Sequence, residues 1–205
     1  MKSIKNIIFD LGGVLLNIDY NKTTSAFKNL GYTEFEKMYS MIKANSIFDN
    51  LETGHLSESS FYEYMLGLAN ATVSENEVTN AWNAMLLDFR TESLQFLMQL
   101  SQLHNLFLLS NTNQIHKTAF EKNLMKQTGH PSLDIFFTKA YYSHLVGMRK
   151  PNEDIFKFVL EDSGILASET LFIDDLYGNI ATAANLGFKI HQLLPGEKIE
   201  DLNYK

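Results

Sequence analysis

The chain contains no cysteine, so it forms no disulfide and offers no thiolate ligand to a metal ion. This composition suits a reducing compartment. Basic residues are also few, since 17 Lys and Arg stand against 24 Asp and Glu and the formal net charge is −7. A nucleic-acid backbone is bound by clustered Lys and Arg, so we expect no nucleic-acid partner.

Long apolar runs are missing as well. The first run, Ile7 to Phe9, is cut short by Asp10, and no small-residue cleavage site of a signal peptide follows it. No stretch approaches the length of about 20 apolar residues that spans a bilayer. Since 45% of the residues are hydrophobic and 20% are charged, we expect a soluble, cytoplasmic globular protein without a membrane partner.

Short apolar runs alternate with helical patterns in the second half of the chain. Buried strands are predicted at residues 7–9, 106–109, 138–142, 170–173 and 188–193. The helices between them are predicted at 91–103 with Thr91 as N-cap, at 114–126, after Pro151 in a first turn, and at 179–186 before Gly187. Such alternation predicts an α/β fold with a parallel sheet and right-handed crossovers.

Residues 20–88 show helical patterns and no convincing strand. Thr33, Ser57 and Ser74 are predicted to begin three helices, and Ser74 forms a capping box with Glu77. This block is too long for an ordinary connection after the first strand. We therefore predict a core made of residues 1–15 and 89–205, with an inserted helical bundle, the cap, at 16–88. The loop from Glu52 to His55 lies between two cap helices.

Polar side chains follow three of the predicted strands. They are Asp10, the pair Ser110 and Asn111, and the pair Asp174 and Asp175. The carboxyl ends of parallel strands lie at one edge of a sheet, so these groups can converge there. Three carboxylates repel one another unless a cation lies among them, and hard oxygen ligands favour Mg²⁺. With Lys150 nearby, the set predicts a site for a phosphate dianion that an Asp attacks.

The four motifs in this order resemble the haloacid dehalogenase-like hydrolase superfamily over essentially the whole chain. The first motif is Asp10-Leu11-Gly12-Gly13-Val14, the second is Ser110, the third is Lys150, and the fourth is Asp174-Asp175. The resemblance implies a Rossmann-like parallel sheet with helices on both faces and a small helical cap. It also implies a Mg²⁺-dependent phosphatase for a small phosphorylated metabolite, as in sugar-phosphate phosphatases.

The resemblance also implies residue roles. Asp10 is the expected nucleophile, which becomes an aspartyl-phosphate, and it is a Mg²⁺ ligand as well. The other expected Mg²⁺ ligands are Asp175, Asp174 directly or through water, and the carbonyl of Gly12. Ser110 and Lys150 are expected to hold the phosphoryl oxygens. The remaining substrate-binding candidates are Gly12, Gly13, Asn111, Glu52 and His55.

Gly12 departs from the pattern of the family's phosphatases. They usually carry a second Asp at this position, which acts as general acid and base. Removing such a group costs about 10²–10⁴-fold in rate, unless water or a cap residue replaces it. Anomeric sugar phosphates would suffer least, because their leaving group needs little protonation.

Two alternatives remain open at this stage. A 2-haloacid dehalogenase also lacks the second Asp, but it uses an arginine on the cap side, and the only arginines here are Arg90 and Arg149. A non-catalytic protein that binds a phosphometabolite or a protein partner is favoured by Gly12. It is disfavoured by Asp10, because a pure binding module has no need of the nucleophile.

Overall fold

The computed structural model describes residues 3–32, 35, 46–69, 72–202 and 204. The strands are β1 Asn6–Phe9, β2 Leu16–Ile18, β3 Leu86–Phe89, β4 Asn105–Ser110, β5 Lys139–Tyr142, β6 Thr170–Asp174 and β7 Lys189–Gln192. The α-helices in the described part are α1 Tyr20–Asn29, α2 Ile47–Glu52, α3 Glu58–Gly67, α4 Glu75–Asn83, α5 Thr91–Leu100, α6 Gln114–Thr128, α7 Ser143–Val146, α8 Glu153–Ser163 and α9 Tyr177–Asn185.

Five strands form a parallel sheet in the order β5-β4-β1-β6-β7. Strand β1 lies at its centre, and all four of its residues are buried. Alternate side chains of a strand point to opposite faces, so Ile7 and Phe9 join one hydrophobic cluster and Ile8 joins another. A strand covered on both faces needs apolar residues throughout, which explains its continuous hydrophobic run.

Helices cover both faces of this sheet. Helices α5 and α6 contribute Leu94, Leu97, Phe120 and Leu124 to the cluster that contains Ile7. Helices α8 and α9 contribute Ile155, Phe156, Ile180 and Ala183 to the cluster that contains Ile8. This arrangement confirms the predicted α/β, Rossmann-like fold class. Within the described part of the chain, no helix has both the length and the apolar character to cross a membrane.

Helices α1 to α4 share a hydrophobic cluster of their own, which we call the cap cluster. Its members include Phe27, Phe48, Leu51, Phe61, Met65, Val78 and Trp82, and α6 adds Ile115. The separate cluster favours the division into a core and a cap, whose boundaries stay a prediction. The predicted helix after Thr33 lies outside the described residues.

The prediction of no strand within residues 20–88 is wrong. Strand β3 pairs with β2 in an antiparallel ribbon, with Leu16 opposite Phe89 and Ile18 opposite Leu86. The local pattern favours a helix here, because Leu86 follows Trp82 at helical spacing. Helix α4 ends at Asn83, and the pairing partner that makes β3 a strand lies about 70 residues away along the chain, where a local pattern cannot show it.

Two predicted helix starts also need correction, and two are confirmed. Thr91 lies inside the first turn of α5, while Arg90 occupies the N-cap position. Pro151 precedes α8, which begins at Glu153. Ser57 accepts a hydrogen bond from the Ser60 backbone as N-cap of α3. The Ser74 capping box is present at the start of α4.

The cap contacts the core closely at Gly54, directly after α2. Its φ angle is +70°, and an added Cβ would collide with the backbone carbonyl oxygen of His144 in α7. Only glycine therefore fits this contact without a shift. The loop from Glu52 to His55 is thus packed on the core at Gly54.

We expect Gly54→Ala to destabilise the protein more than Gly129→Ala. Both glycines have positive φ, +70° and +78°, but no atom lies within 4 Å of a Cβ added at Gly129. Gly129→Ala should therefore cost only the left-handed backbone strain of about 1–2 kcal/mol. Gly54→Ala should lose about 1–3 kcal/mol more through overpacking. Urea unfolding measures both changes, and equal losses would show that the His144 contact relaxes freely.

Candidate functional site

The polar ends of three central strands meet at one cavity of about 280 Å³. Strand β1 lies between β4 and β6 in parallel register, so Asp10, Ser110 and Asp174 come to the same edge of the sheet. The cavity is lined by Asp10, Gly12, Gly13, Ser110, Asn111, Lys150 and Asp175 from the core and by Glu52 from the cap. The structure thus brings together all the predicted site residues except His55, and Asp174, which is not in the lining, is buried and bonded to the lining residue Lys150.

Lys150 joins the ends of two neighbouring strands. Its Nζ donates to Asp10 Oδ1 at 2.8 Å and to Asp174 Oδ2 at 2.7 Å, and the side chain is 1% exposed. Asn111 holds the Lys150 backbone, because its Nδ2 donates to the carbonyl at 2.8 Å and its Oδ1 accepts from the N–H at 2.9 Å. These bonds position Lys150, and Asn111 also lines the cavity, so its predicted substrate contact stays a prediction.

Asp174 and Asp175 have different surroundings. Asp174 is fully buried and accepts hydrogen bonds from Lys150, from Asn179 Nδ2 at 2.9 and 3.0 Å, and from the Leu176 backbone N–H at 2.8 Å. Asp175 is half-buried and lines the cavity. Its carboxylate is therefore the more accessible of the two to a ligand.

The ionisable groups of the site favour the binding of another positive charge. Burial, together with repulsion from Asp174 and Asp175, raises the pKa of Asp10 to about 7 despite Lys150. Burial and the Asp174 charge also raise the pKa of Asp175. Burial disfavours the Lys150 ammonium, but attraction by the two carboxylates outweighs it and raises the pKa of Lys150.

A divalent cation fits this donor set. Oxygen atoms of Asp10, Asp174 and Asp175 lie within 4.8 Å of one another. Three carboxylates face one ammonium group, so the protein alone leaves net negative charge in a buried place. Hard carboxylate oxygens with no sulfur or imidazole ligand suit Mg²⁺.

The two glycines after Asp10 play different parts. Gly13 has φ +73°, and an added Cβ would lie 2.5 Å from Asp175 Oδ2, so this glycine makes room for the carboxylate. Its N–H is bonded to the Leu16 carbonyl at 2.9 Å. Gly12 has no left-handed backbone, and the nearest atom to an added Cβ is Ile18 Cγ1 at 3.4 Å. A Cβ at position 12 would therefore make only an ordinary contact with Ile18.

Ser110 offers an available hydroxyl. It is 2% exposed at the end of β4, and its side chain has no hydrogen-bond partner among the described residues. The loop that follows is fixed by Ser143, whose Oγ accepts from the Thr112 N–H and donates to the Thr112 carbonyl, both at 2.9 Å. A fixed loop beside a free hydroxyl suits an oxyanion ligand.

On the cap side, Glu52 lines the cavity and His55 does not. His55 is exposed, and its Nδ1 lies 2.8 Å from Thr53 Oγ1. Glu52 forms an ion pair with Arg149 Nη2 at 3.0 Å, and Arg149 also pairs with Asp49. Burial raises the pKa of Glu52 against the opposing charge of Arg149.

Arg149 and His116 also line the cavity, and neither was predicted as a site residue. Arg149 could have been found from its position next to Lys150, because neighbours of a buried site residue often share the site. His116 gave no such signal, since its place depends on how the cap packs against α6.

Comparisons with known proteins agree with this geometry. A family model described as haloacid dehalogenase-like hydrolase matches residues 4–187. A D-ribitol-5-phosphate phosphatase from Bacteroides thetaiotaomicron is 33% identical over 189 residues, which cover 92% of this chain and 91% of the relative.

Solved structures give the same result. A haloacid dehalogenase family enzyme from Bacteroides thetaiotaomicron, in complex with magnesium and inorganic phosphate, has a TM-score of 0.88 and 34% identity, covering 96% of this chain and 98% of its own. The L-2-haloacid dehalogenase from Xanthobacter autotrophicus shares the fold, with a TM-score of 0.60 and 21% identity over 93% of this chain and 77% of its own. The chain belongs to the haloacid dehalogenase-like hydrolase family.

Proposed function

We propose that the protein is a Mg²⁺-dependent phosphatase that hydrolyses a small phosphorylated metabolite of the sugar or polyol phosphate class. The observation that carries this proposal is the cluster of Asp10, Asp174 and Asp175 around Lys150 in one cavity. The similarity to a ribitol-phosphate phosphatase supports the substrate class. The fit to an enzyme that binds magnesium and phosphate supports the cofactor. The cytoplasmic location stays a prediction.

Asp10 is the nucleophile in this proposal. Lys150 engages its Oδ1, while Oδ2 has no protein donor among the described residues. Oδ2 attacks phosphorus, the ester P–O bond breaks, and the alcohol leaves with a proton supplied from water or the cavity wall. Water then cleaves the aspartyl-phosphate, which releases inorganic phosphate and restores the Asp10 carboxylate.

Other residues orient the phosphoryl group and hold the metal ion. Ser110 Oγ and Lys150 Nζ donate to the phosphoryl oxygens, as their positions in the cavity allow. Asp10, Asp175 and the Gly12 carbonyl would hold Mg²⁺, with Asp174 behind them. The ion, when bound, supplies positive charge that offsets the phosphoryl oxygens.

A haloacid dehalogenase is the second candidate, favoured by the shared fold and by Gly12. No arginine lies within the predicted cap, but Arg149 of the core lines the cavity and contacts the cap residues Asp49 and Glu52. Its guanidinium is paired with Asp49 and Glu52, so it is not free to bind a halide. The carboxylate of Asp175 beside the nucleophile also disfavours chemistry without a metal ion.

We expect Asp10→Asn to abolish turnover while the fold is retained. The amide is close in shape to the carboxylate but cannot form the acyl-phosphate. Phosphate release from a panel of metabolites measures activity, and circular dichroism checks the fold. If the variant retains more than about 1% of wild-type activity, another residue is the nucleophile, since loss of a true one costs far more.

We expect Asp175→Ala and Asp174→Ala to differ in metal binding. Asp175→Ala should lower Mg²⁺ affinity by at least the ~100-fold upper end of what loss of an outer-shell partner costs, because it removes a direct ligand. Asp174→Ala should lower affinity by only about 10-fold, yet lose activity because Lys150 loses an acceptor. Calorimetric titration with Mg²⁺ separates the two. Unchanged affinity in Asp175→Ala would place the metal elsewhere.

We expect the wild-type rate to depend steeply on leaving-group pKa, because Gly12 cannot donate a proton. At matched contacts to the cavity wall, aryl and anomeric sugar phosphates should be cleaved far faster than primary alkyl phosphates such as ribitol 5-phosphate. A series of monoesters of graded leaving-group pKa at saturating Mg²⁺ measures the slope. Gly12→Asp should flatten it, and a Cβ at position 12 would meet only the Ile18 side chain, at an ordinary contact distance of 3.4 Å.

Glu52→Gln is the matched test for a substitute proton donor. Glu52 lines the cavity with a raised pKa, so it is the first candidate if the wild-type slope is already shallow. In that case Glu52→Gln should make the slope steep. A slope that stays shallow in this variant would assign the proton to water.

A further inference from the structure

His116 lies where the cap and the core meet at the cavity. It belongs to the first turn of α6, and its backbone N–H donates to the N-cap residue Asn113 at 3.0 Å. Its ring stacks on Trp82 of α4, with centroids 5.1 Å apart and planes 7° apart. The ring is 8% exposed and lines the cavity.

The hydrogen bond to Asn83 determines which ring nitrogen of His116 carries the hydrogen atom. His116 Nδ1 lies 2.8 Å from Asn83 Oδ1, and an amide oxygen only accepts, so Nδ1 carries the hydrogen. Nε2 of a neutral ring is then an acceptor, and it has no partner among the described residues. Burial lowers the pKa of His116 to about 3, so the ring is neutral and cannot replace the missing general acid.

The wall around His116 is largely apolar, with Phe48, Trp82, Met85, Leu86 and Phe120 in the lining. Two charged side chains that also line the cavity, Glu52 and Arg149, form an ion pair with each other. Among the described residues of this wall, Nε2 is thus an acceptor without a protein partner. A ligand that brings no donor there leaves this nitrogen unpaired, which lowers its affinity.

We propose that His116 is a specificity-determining residue, whose Nε2 accepts a hydrogen bond from a hydroxyl group of the substrate's alcohol portion. This inference rests on the proposed phosphatase function and deepens it. The site thereby selects hydroxylated phosphate esters, such as polyol phosphates, over esters of the same size without the hydroxyl.

The first test uses the wild-type enzyme and ribitol 5-phosphate with its monodeoxy and monofluoro analogues. At one carbon, loss of the hydroxyl should lower kcat/KM by about 10–100-fold. Fluorine accepts but cannot donate, so the fluoro analogue at that carbon should lose as much. If no position shows a loss, or if fluorine restores the rate, the acceptor role of Nε2 is wrong.

The second test compares His116→Phe with Ile115→Val. Phenylalanine keeps a ring against Trp82 and removes both nitrogens. The ratio of kcat/KM for ribitol 5-phosphate to that for p-nitrophenyl phosphate should fall by about 10–100-fold. Ile115 packs in the cap cluster beside His116 and does not line the cavity. Ile115→Val should change kcat/KM for both substrates by the same factor. The same result in His116→Phe would mean that His116 has only a packing role.

Binding separates failure of this inference from failure of the proposed function. Calorimetry with the Asp10→Asn variant measures the affinity for ribitol 5-phosphate and for each of its monodeoxy analogues without turnover. If one analogue binds more weakly than ribitol 5-phosphate, and this difference disappears in Asp10→Asn/His116→Phe, the His116 assignment is supported even if hydrolysis is not observed. Equal affinity for all these compounds in Asp10→Asn overturns the assignment and leaves hydrolysis to be judged separately.

Discussion

The buried ammonium group of Lys150 holds two carboxylates that would otherwise repel each other. Because its Nζ bonds to Asp10 and Asp174, it ties the ends of β1 and β6 together at the centre of the sheet. A buried charge pair gives little net stability, since desolvation offsets the attraction. The pair instead positions Asp10 at the cavity, because it engages Oδ1 and leaves Oδ2 without a protein donor among the described residues. Asn111 and Asn179 then fix the lysine and Asp174 in turn.

The cap contacts the core next to Lys150. Arg149 directly precedes Lys150 and pairs with Asp49 and Glu52 of α2. The Gly54 contact with α7 holds the same segment against the core. A separate contact between the cap and the core is the packing of α4 against Ile115 and His116 at the start of α6. The cap thus forms part of the cavity wall rather than a distant lid.

The chemical character of the cavity changes along its length. At the sheet edge, carboxylates and an ammonium group suit a metal ion and a phosphoryl group. Toward the cap, aromatic and aliphatic side chains dominate, with one neutral imidazole among them. Under the proposed function, such a division would let the core perform the phosphoryl chemistry while the apolar wall selects the alcohol. The absence of an acid at Gly12 would then make the rate depend on the nature of that alcohol as well.

The sequence by itself determined the core fold and the position of Asp10, Ser110 and Asp174. Continuous apolar strands predict a parallel sheet, and the ends of parallel strands must share an edge. Only the tertiary structure decided that β3 is a strand, that Asn111 positions Lys150, and that His116 reaches the cavity while His55 does not. These outcomes depend on contacts between segments remote in sequence, for which residue spacing along the chain carries no signal.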